Sequence, residues 1–414
     1  MLNQIIKYIN NLNPAIIVQA PSRINLINPL DAVEGDFWMP SVAINAFKNP
    51  LSTFVYIKTI NNESRVKLYD IIKVDDKFNF KIIYEKKLPK SRAKLKMSMT
   101  DELKLVHGSI YRFSRTNSYF WEKFKELNIE IGIISTIPRQ SGLGGSASII
   151  IAVLYALARY FGIYNNLLSV KHHEYPINKD IIAEMATKVE VKDLKITAGF
   201  SDRYSICRGG IGFCSYVGKL YHKKISMEPI AVYDRIDKIY NITNLPVIVC
   251  YSGIIHDSGN VHKRLRKLYL LNDLYVRKKY KLLANLAWKS RFALMKHDWK
   301  FLGELFNKNN QMMNKIMQYA GFKHGIGFIN NLLIKLIEDY PGVYAVKLTG
   351  AGGGGSVFAL TNPERNDEVL SEWKRRLNNL IKNKGHRYDP KLIEDLRNAE
   401  FFKIKISYYG VKKI

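Results

Sequence analysis

The residues from Pro138 to Ser148, Pro-Arg-Gln-Ser-Gly-Leu-Gly-Gly-Ser-Ala-Ser, are of the types that hold a phosphate. Gly142, Gly144 and Gly145 let backbone amides approach an anion with no Cβ in the way. The apolar run Ala147–Phe161 follows directly and reads as a buried helix. Its first unpaired N–H groups and the positive end of its dipole would face the same anion. Ser146 and Ser148 add hydroxyls able to touch phosphate or a metal ion. Other glycine devices fit less well. A Walker loop needs Gly-Lys-[Ser/Thr], and no Lys follows these glycines. Gly142-x-Gly144-x-x-Ala147 satisfies the dinucleotide pattern in form, but that pattern needs an acidic residue about 20 positions on. No Asp or Glu stands between Ala147 and His173.

Phosphoryl transfer needs positioned reactants, cations to offset charge, and a carboxylate to orient or deprotonate the attacking hydroxyl. Asp202 is the candidate. It lies in Thr197–Tyr204 (TAGFSDRY), between Gly199 and Gly209-Gly210, in an apolar and aromatic stretch. A second glycine run, Gly350–Gly355, holds five glycines in six residues between two β-rich apolar segments, as a defined loop near an active site would.

The elements that must carry these groups can be read from pattern. Leu2–Leu12 predicts an amphipathic helix ending near Pro14. Ile16–Ala20, Leu51–Ile60, Arg65–Ile72 and Ile129–Thr136 predict strands. Asp101–Phe113 predicts a helix capped by Thr100. Ile181–Val191 predicts another helix, and Tyr204–Tyr216 a return as strands. Pro246–Tyr251 reads as a strand. Residues 261–320 are charged and helical. Val343–Leu348 and Ser356–Leu360 read as paired strands, Asp367–Asn383 as a helix and Phe402–Tyr408 as a closing strand. Composition changes near residue 225, which predicts two domains, 1–225 and 226–414.

A length of 414 residues fits two domains, and 47% hydrophobic with 24% charged residues is a globular composition. The excess of 64 Lys+Arg over 36 Asp+Glu leaves +28. A surface so charged attracts polyanions. The positive residues are spread along the chain, no nucleic-acid motif accompanies the run Lys86–Lys96, and a solvated basic surface is expected rather than a nucleic-acid partner. Cys207, Cys214 and Cys250 form no CxxC pair, which fits a reducing cytoplasm. No signal peptide or membrane-spanning window stands out, and no membrane partner is expected. His256 and His262, six apart, are no metal-ligand signature.

Pro138-x-x-x-Gly-Leu-Gly-Gly-Ser-Ala resembles the second signature motif of the galactokinase, homoserine kinase, mevalonate kinase and phosphomevalonate kinase (GHMP) superfamily. Ala20–Ile27 (APSRINLI) resembles the first motif, which lines the acceptor pocket there, and Lys347–Ser356 (KLTGAGGGGS) resembles the third. The resemblance spans residues 15–408. It implies an α+β fold of two lobes, the first like ribosomal protein S5 domain 2 and the second ferredoxin-like, with the active site in the cleft. It implies ATP held by Pro138, Ser141, Gly142, Leu143, Gly144, Gly145, Ser146, Ala147 and Ser148. It further implies Mg²⁺ held by Ser146 and Glu190, although Glu184 and Asp193 are carboxylates close enough in sequence to serve instead. Asp202 matches the catalytic aspartate, and Arg23 the basic residue that keeps it ionised.

Asn28-Pro-Leu-Asp31 is similar to the Asn-Pro-x-Asp of glucuronokinase, where galactokinase and mevalonate kinase carry Gly-Glu-His. Asp257–His262 (DSGNVH) resembles the same enzyme's Asp-Ser-Gly-Lys-Val-His. The resemblance thus points toward glucuronokinase and the heptose-phosphate kinases, and toward the anomeric hydroxyl of a sugar or sugar acid. It places Asn28, Asp31, Arg203, Asp257, Ser258, Gly350, Gly352 and Gly353 at the acceptor. Two departures touch that pocket: Arg23–Asn28 is one residue shorter than in glucuronokinase, and Asn260 replaces a lysine. Mevalonate, homoserine or a polyol are the alternative acceptors, and a non-catalytic protein of this fold binding nucleic acid is the alternative class.

Overall fold

The computed structural model describes residues 1–27, 38–74, 77–171, 174–199, 201–216, 231–255, 258–383 and 385–414. Its strands in chain order are β1 (Ile16–Asn25), β2 (Trp38–Ala46), β3 (Ser52–Thr59), β4 (Arg65–Val74), β5 (Lys77–Lys87), β6 (Ile129–Ser135), β7 (Ile211–Tyr216), β8 (Ala231–Arg235), β9 (Val247–Tyr251), β10 (Val343–Thr349), β11 (Ser356–Thr361), β12 (Glu400–Ile406) and β13 (Lys412–Lys413). They pair in the order β10-β11-β9-β12-β2-β1-β3-β6-β4-β5, with β7 on β2, β8 on β7 and β13 on β1. Only β4 and β6 run parallel among the described pairs. The architecture is α+β, as the sequence predicts. The closing strand β12 bonds to both β9 and β2, so it joins the two halves of the path. The domain boundary expected near 225 falls at residues outside the described ones.

One strand does most to position the site. All ten residues of β1 are buried, Ser22, Arg23 and Asn25 included. Its first half, through Pro21, pairs with β3, and its second half, from Ser22, pairs with β2. The change of partner coincides with Pro21, which has no N–H to give a ladder. Beyond it, Arg23 N–H donates to Leu143 O (3.1 Å), and Ser22 Oγ donates to the same carbonyl (2.7 Å). The strand is thereby tied to the phosphate-type loop.

The helix after that loop, Gly145–Tyr160, packs against β1 and β3 with Ile150, Ile151, Val153, Leu154 and Leu157 in the core. Three expectations differ from what is seen. The helix expected at 101–113 is Lys104–Thr116. Leu103 occupies its cap position, because Asp101 Oδ1 accepts Leu103 N–H (2.8 Å) in a local turn, and Thr100 caps nothing. The segment read as strands from Tyr204 begins as a helix, Ser201–Arg208, which Gly209 and Gly210 end at φ 77° and 67° before β7 starts. The helix expected to reach Val191 ends at Lys188 and continues as a π turn, Val189–Asp193. Strands β2 and β5 and the helix Ser118–Glu126 were not predicted.

Candidate active site

The described carboxylate closest to the reading of a catalytic acid–base group is Asp202, in the first turn of the helix Ser201–Arg208 and about nine-tenths buried at 9% exposure. One of its oxygens accepts from Arg23 Nη2, and the other from Asn25 Nδ2 (3.1 Å). Arg23 and Asn25 are two apart on β1, so strand alternation points both to the same side. Arg23 Nη1 also donates to Gly142 O (2.5 Å), inside the glycine loop. The carboxylate is therefore held by two donors and aimed from a helix start. Arg23 Nε, Asn25 Oδ1 and Ser141 Oγ are buried without a hydrogen-bond partner among the described residues. Polar atoms left so are rare in folded interiors and mark where something polar is expected to sit.

Ser146 lies at the other end of the loop. Its Oγ donates to Glu190 Oε1 (2.8 Å). Glu190 is buried within the π turn, a helix irregularity common at functional positions. The turn is fixed by Leu194 N–H on Val189 O (2.9 Å) and Ile196 N–H on Glu190 O (2.8 Å). Of the three carboxylates considered for the metal, only Glu190 reaches Ser146. Asp193 is bound by Arg112 through two bonds of 2.8 and 2.5 Å, and Glu184 accepts from Tyr204 Oη. Asp193 stays less acidic than usual, chiefly because burial penalises its charge, with Arg112 opposing.

Arg203 joins the two carboxylates. It is ion-paired with Glu190, its Nη1 donates to Gly199 O (2.6 Å), and Nη1 lies 3.7 Å from Asp202 Oδ2. At 3% exposure its guanidinium is turned inward onto these groups. A closed circuit results: Ser146, Glu190, Arg203, Asp202, Arg23, Gly142 and back along the loop to Ser146.

The second glycine run closes on the loop from the other side. Asn25 N–H donates to Thr349 Oγ1 (3.2 Å), and Ser356 Oγ donates to Ser141 O (2.8 Å). A Cβ on Gly350 would stand 2.9 Å from Gly142 Cα, and one on Gly142 would stand 3.0 Å from Thr349 O. Gly350 and Gly142 adopt φ of 82° and 74°, the left-handed region that favours glycine. Gly352 and Gly353 face elsewhere. Gly353 N–H donates to Ile326 O (2.7 Å), and both glycines border a cavity of about 530 Å³ with Ile254, Asn260, Phe322 and His324.

Ser148 corrects another expectation. Its hydroxyl donates to Ala20 O (2.9 Å) and is fully buried. Two residues apart on a helix means about 200° of rotation, so Ser146 and Ser148 face opposite ways. Leu143 and Ala147 anchor the loop in the core, and Gly144 caps the helix at φ 81°. Pro138 precedes these, three residues after β6 ends. Asn28, Asp31 and Asp257 lie outside the described residues. Ser258 begins the helix Ser258–Leu270. Asn25 and Thr349 were within quoted motifs but given no role; Asn25 could have been found from its two-residue spacing to Arg23. Among the described residues no group of three or more His, Cys, Asp or Glu is arranged to hold a metal ion.

Residues 108–210 match the family model for the GHMP kinases N terminal domain, and residues 293–379 match the model for GHMP kinases C terminal. The chain is 29% identical over 243 residues to the probable glucuronokinase 2 of Arabidopsis thaliana, covering 58% of this chain and 59% of that protein. It is 26% identical over 282 residues to the mevalonate kinase of Thermococcus sibiricus, covering 66% and 72%. In fold it is similar to a D-glycero-D-manno-heptose 1-phosphate kinase crystal structure, with a TM-score of 0.60, 16% identity, and coverage of 96% of this chain and 98% of that one.

Proposed function

The chain belongs to the GHMP kinase family, and we propose that it transfers the γ-phosphate of ATP to a hydroxyl of a sugar or sugar acid, at the anomeric position. The carrying observation is the Arg23–Asp202–Asn25 cluster bonded directly to the glycine loop at Gly142. Loop amides and the start of the helix Gly145–Tyr160 would hold the triphosphate. Asp202 would accept the proton of the attacking hydroxyl, held in place by Arg23 and Asn25. Asn25 Oδ1 and Ser141 Oγ offer further polar contacts beside it. Similarity to glucuronokinase and the Asn28-Pro-Leu-Asp31 and Asp257–His262 stretches support the sugar acceptor.

Hard oxygen donors suit Mg²⁺, and Ser146 Oγ with the Glu190 carboxylate are such a pair, 2.8 Å apart. These two residues would hold the ion, which when bound would offset charge on the phosphate oxygens. Arg203 balances the Glu190 charge from the opposite side.

The mevalonate kinase match supports one other acceptor, a carboxylate-bearing alcohol. ADP release measured across free sugars, sugar acids, sugar phosphates, mevalonate and homoserine tests the proposal. Phosphorus NMR of the product then locates the phosphate. Turnover confined to mevalonate or homoserine overturns the sugar acceptor, and no turnover with any acceptor overturns the enzyme reading.

A further inference from the structure

The helix Leu274–Met295 has two faces of unlike chemistry. Val276, Tyr280, Leu283, Ala287, Ser290, Ala293 and Leu294 are buried against the body of the protein. The opposite face carries Leu274, Lys278, Lys281, Leu282, Trp288, Lys289 and Phe292. At about 100° per residue these fall within an arc of roughly 120°. The apolar members are well exposed: Leu274 86%, Leu282 41%, Trp288 43% and Phe292 42%. The end of the preceding helix adds Leu270 at 41%, and the turn after it Leu271 at 68%.

Charge on this segment is one-sided. Residues 258–300 contain twelve Lys or Arg and two acidic residues, Asp273 and Asp298. Both acids cap helices, Asp273 taking Val276 N–H (2.9 Å) and Asp298 taking Phe301 N–H (3.0 Å). Lys278, Lys281 and Lys289 form no ion pair among the described residues. A helix of 22 residues is about 33 Å long. Along that length exposed lysines alternate with exposed leucine, tryptophan and phenylalanine, a mixture that suits a surface offering both negative charge and apolar depth.

We propose that this helix and its preceding turn dock on an anionic lipid bilayer, lying along the surface. The lysines would meet headgroup phosphates, and the leucines and aromatics would enter the acyl boundary, as interfacial helices do. The exposed leucines favour lipid over nucleic acid, which offers aliphatic side chains little to bury against. No helix among the described residues is long and apolar enough to cross a membrane, but a helix lying on the surface need not cross. This surface use departs from the expectation of no membrane partner, and it is independent of the kinase reading.

The test is co-sedimentation of the full chain with vesicles of phosphatidylcholine and phosphatidylglycerol, against phosphatidylcholine alone. Binding to the mixed vesicles, weakened by salt, is expected. Each surface lysine contributes about a fivefold gain in partitioning, so Lys278→Glu/Lys281→Glu/Lys289→Glu should lower it by at least about a hundredfold. Leu271→Ser/Leu274→Ser/Phe292→Ser should lower it by about tenfold or more while circular dichroism stays unchanged. All six positions are exposed, so either set can be read if the other fails to fold. Undiminished binding by the serine set overturns the proposal. So does capture of a single-stranded RNA oligonucleotide with no retention on vesicles, which would assign the face to nucleic acid.

Discussion

Asp202→Asn separates the chemical from the structural role of the central carboxylate. In the wild type one oxygen accepts from Arg23 and the other from Asn25 (3.1 Å). The amide keeps the shape but offers only one acceptor, and its NH₂ must face a donor. If Arg23 loses its partner, its guanidinium keeps only the Gly142 carbonyl. A charged hydrogen bond lost in so buried a place costs roughly 3 kcal/mol, so a clear fall in melting temperature is expected. Loss of the proton acceptor should lower kcat by about 10²–10⁴, or about 3–5 kcal/mol of barrier. Asn25→Ala is the companion: it removes one neutral donor, costs about 1 kcal/mol of stability and leaves the carboxylate itself and its Arg23 contact in place. ADP release with the best acceptor, thermal melts and nucleotide titration together make the comparison. Nucleotide affinity should change little in Asp202→Asn. If that variant melts early yet turns over within a few-fold of the wild type, Asp202 merely ties strand to helix, and the proton-acceptor role is wrong.

Glu190→Gln should raise the Mg²⁺ concentration needed for half-maximal turnover and, by leaving Arg203 short of its partner, destabilise the fold by about 3–5 kcal/mol; a magnesium titration and a urea curve read the two effects. Gly350→Ala forces φ of 82° on a residue with a Cβ, costing about 1–2 kcal/mol, and presses on Gly142, so the KM for nucleotide should rise. An unchanged KM would show that the second glycine run does not shape the nucleotide loop. Lys347 is buried, and burial pushes its ammonium down from 10.5 to about 7. The unfolded chain then binds a proton that the folded one lacks between pH 7 and 10.5, so stability should rise with pH across that window, by at most about 1.4 kcal/mol per unit. Lys347→Met should flatten that slope, measured by urea midpoints at neutral and alkaline pH.

The parts legible in the sequence were those whose signal is local. Glycines that need φ above zero, a serine after them and an apolar helix announce the loop within a dozen residues. The long strands β1, β3, β4 and β6 follow from β-branched runs. What was missed depends on partners far along the chain. Ser201–Arg208 is helical although Tyr204, Ile206 and Cys207 have strand-like propensities, because its buried face packs on β1 and on the helix Gly145–Tyr160. Ser148 carries the same hydroxyl as Ser146, and the helix period turns it toward Ala20. Arg203 adjoins Asp202 in sequence, and nothing local indicates that its guanidinium turns back to Glu190.

That turning back bears on how two acids can stand beside the loop proposed to hold a triphosphate. Asp202 and Glu190 bring two negative charges to the mouth of a loop built to attract an anion, and alone they would repel it. Arg23 and Arg203 each sit against one of them, so the circuit from Ser146 to Gly142 is neutral by charge count. The positive helix start and loop amides are then left as the uncompensated field facing the loop. Both arginines are also fixed by backbone carbonyls, Gly142 O and Gly199 O, which holds their charges in place without a further acid. Neither arginine can be replaced by a shorter cation without loosening both a carboxylate and a loop, since each guanidinium spans the two with separate nitrogens. Arg23→Lys and Arg203→Lys should therefore impair nucleotide binding and turnover together, whereas a simple charge requirement would let lysine serve.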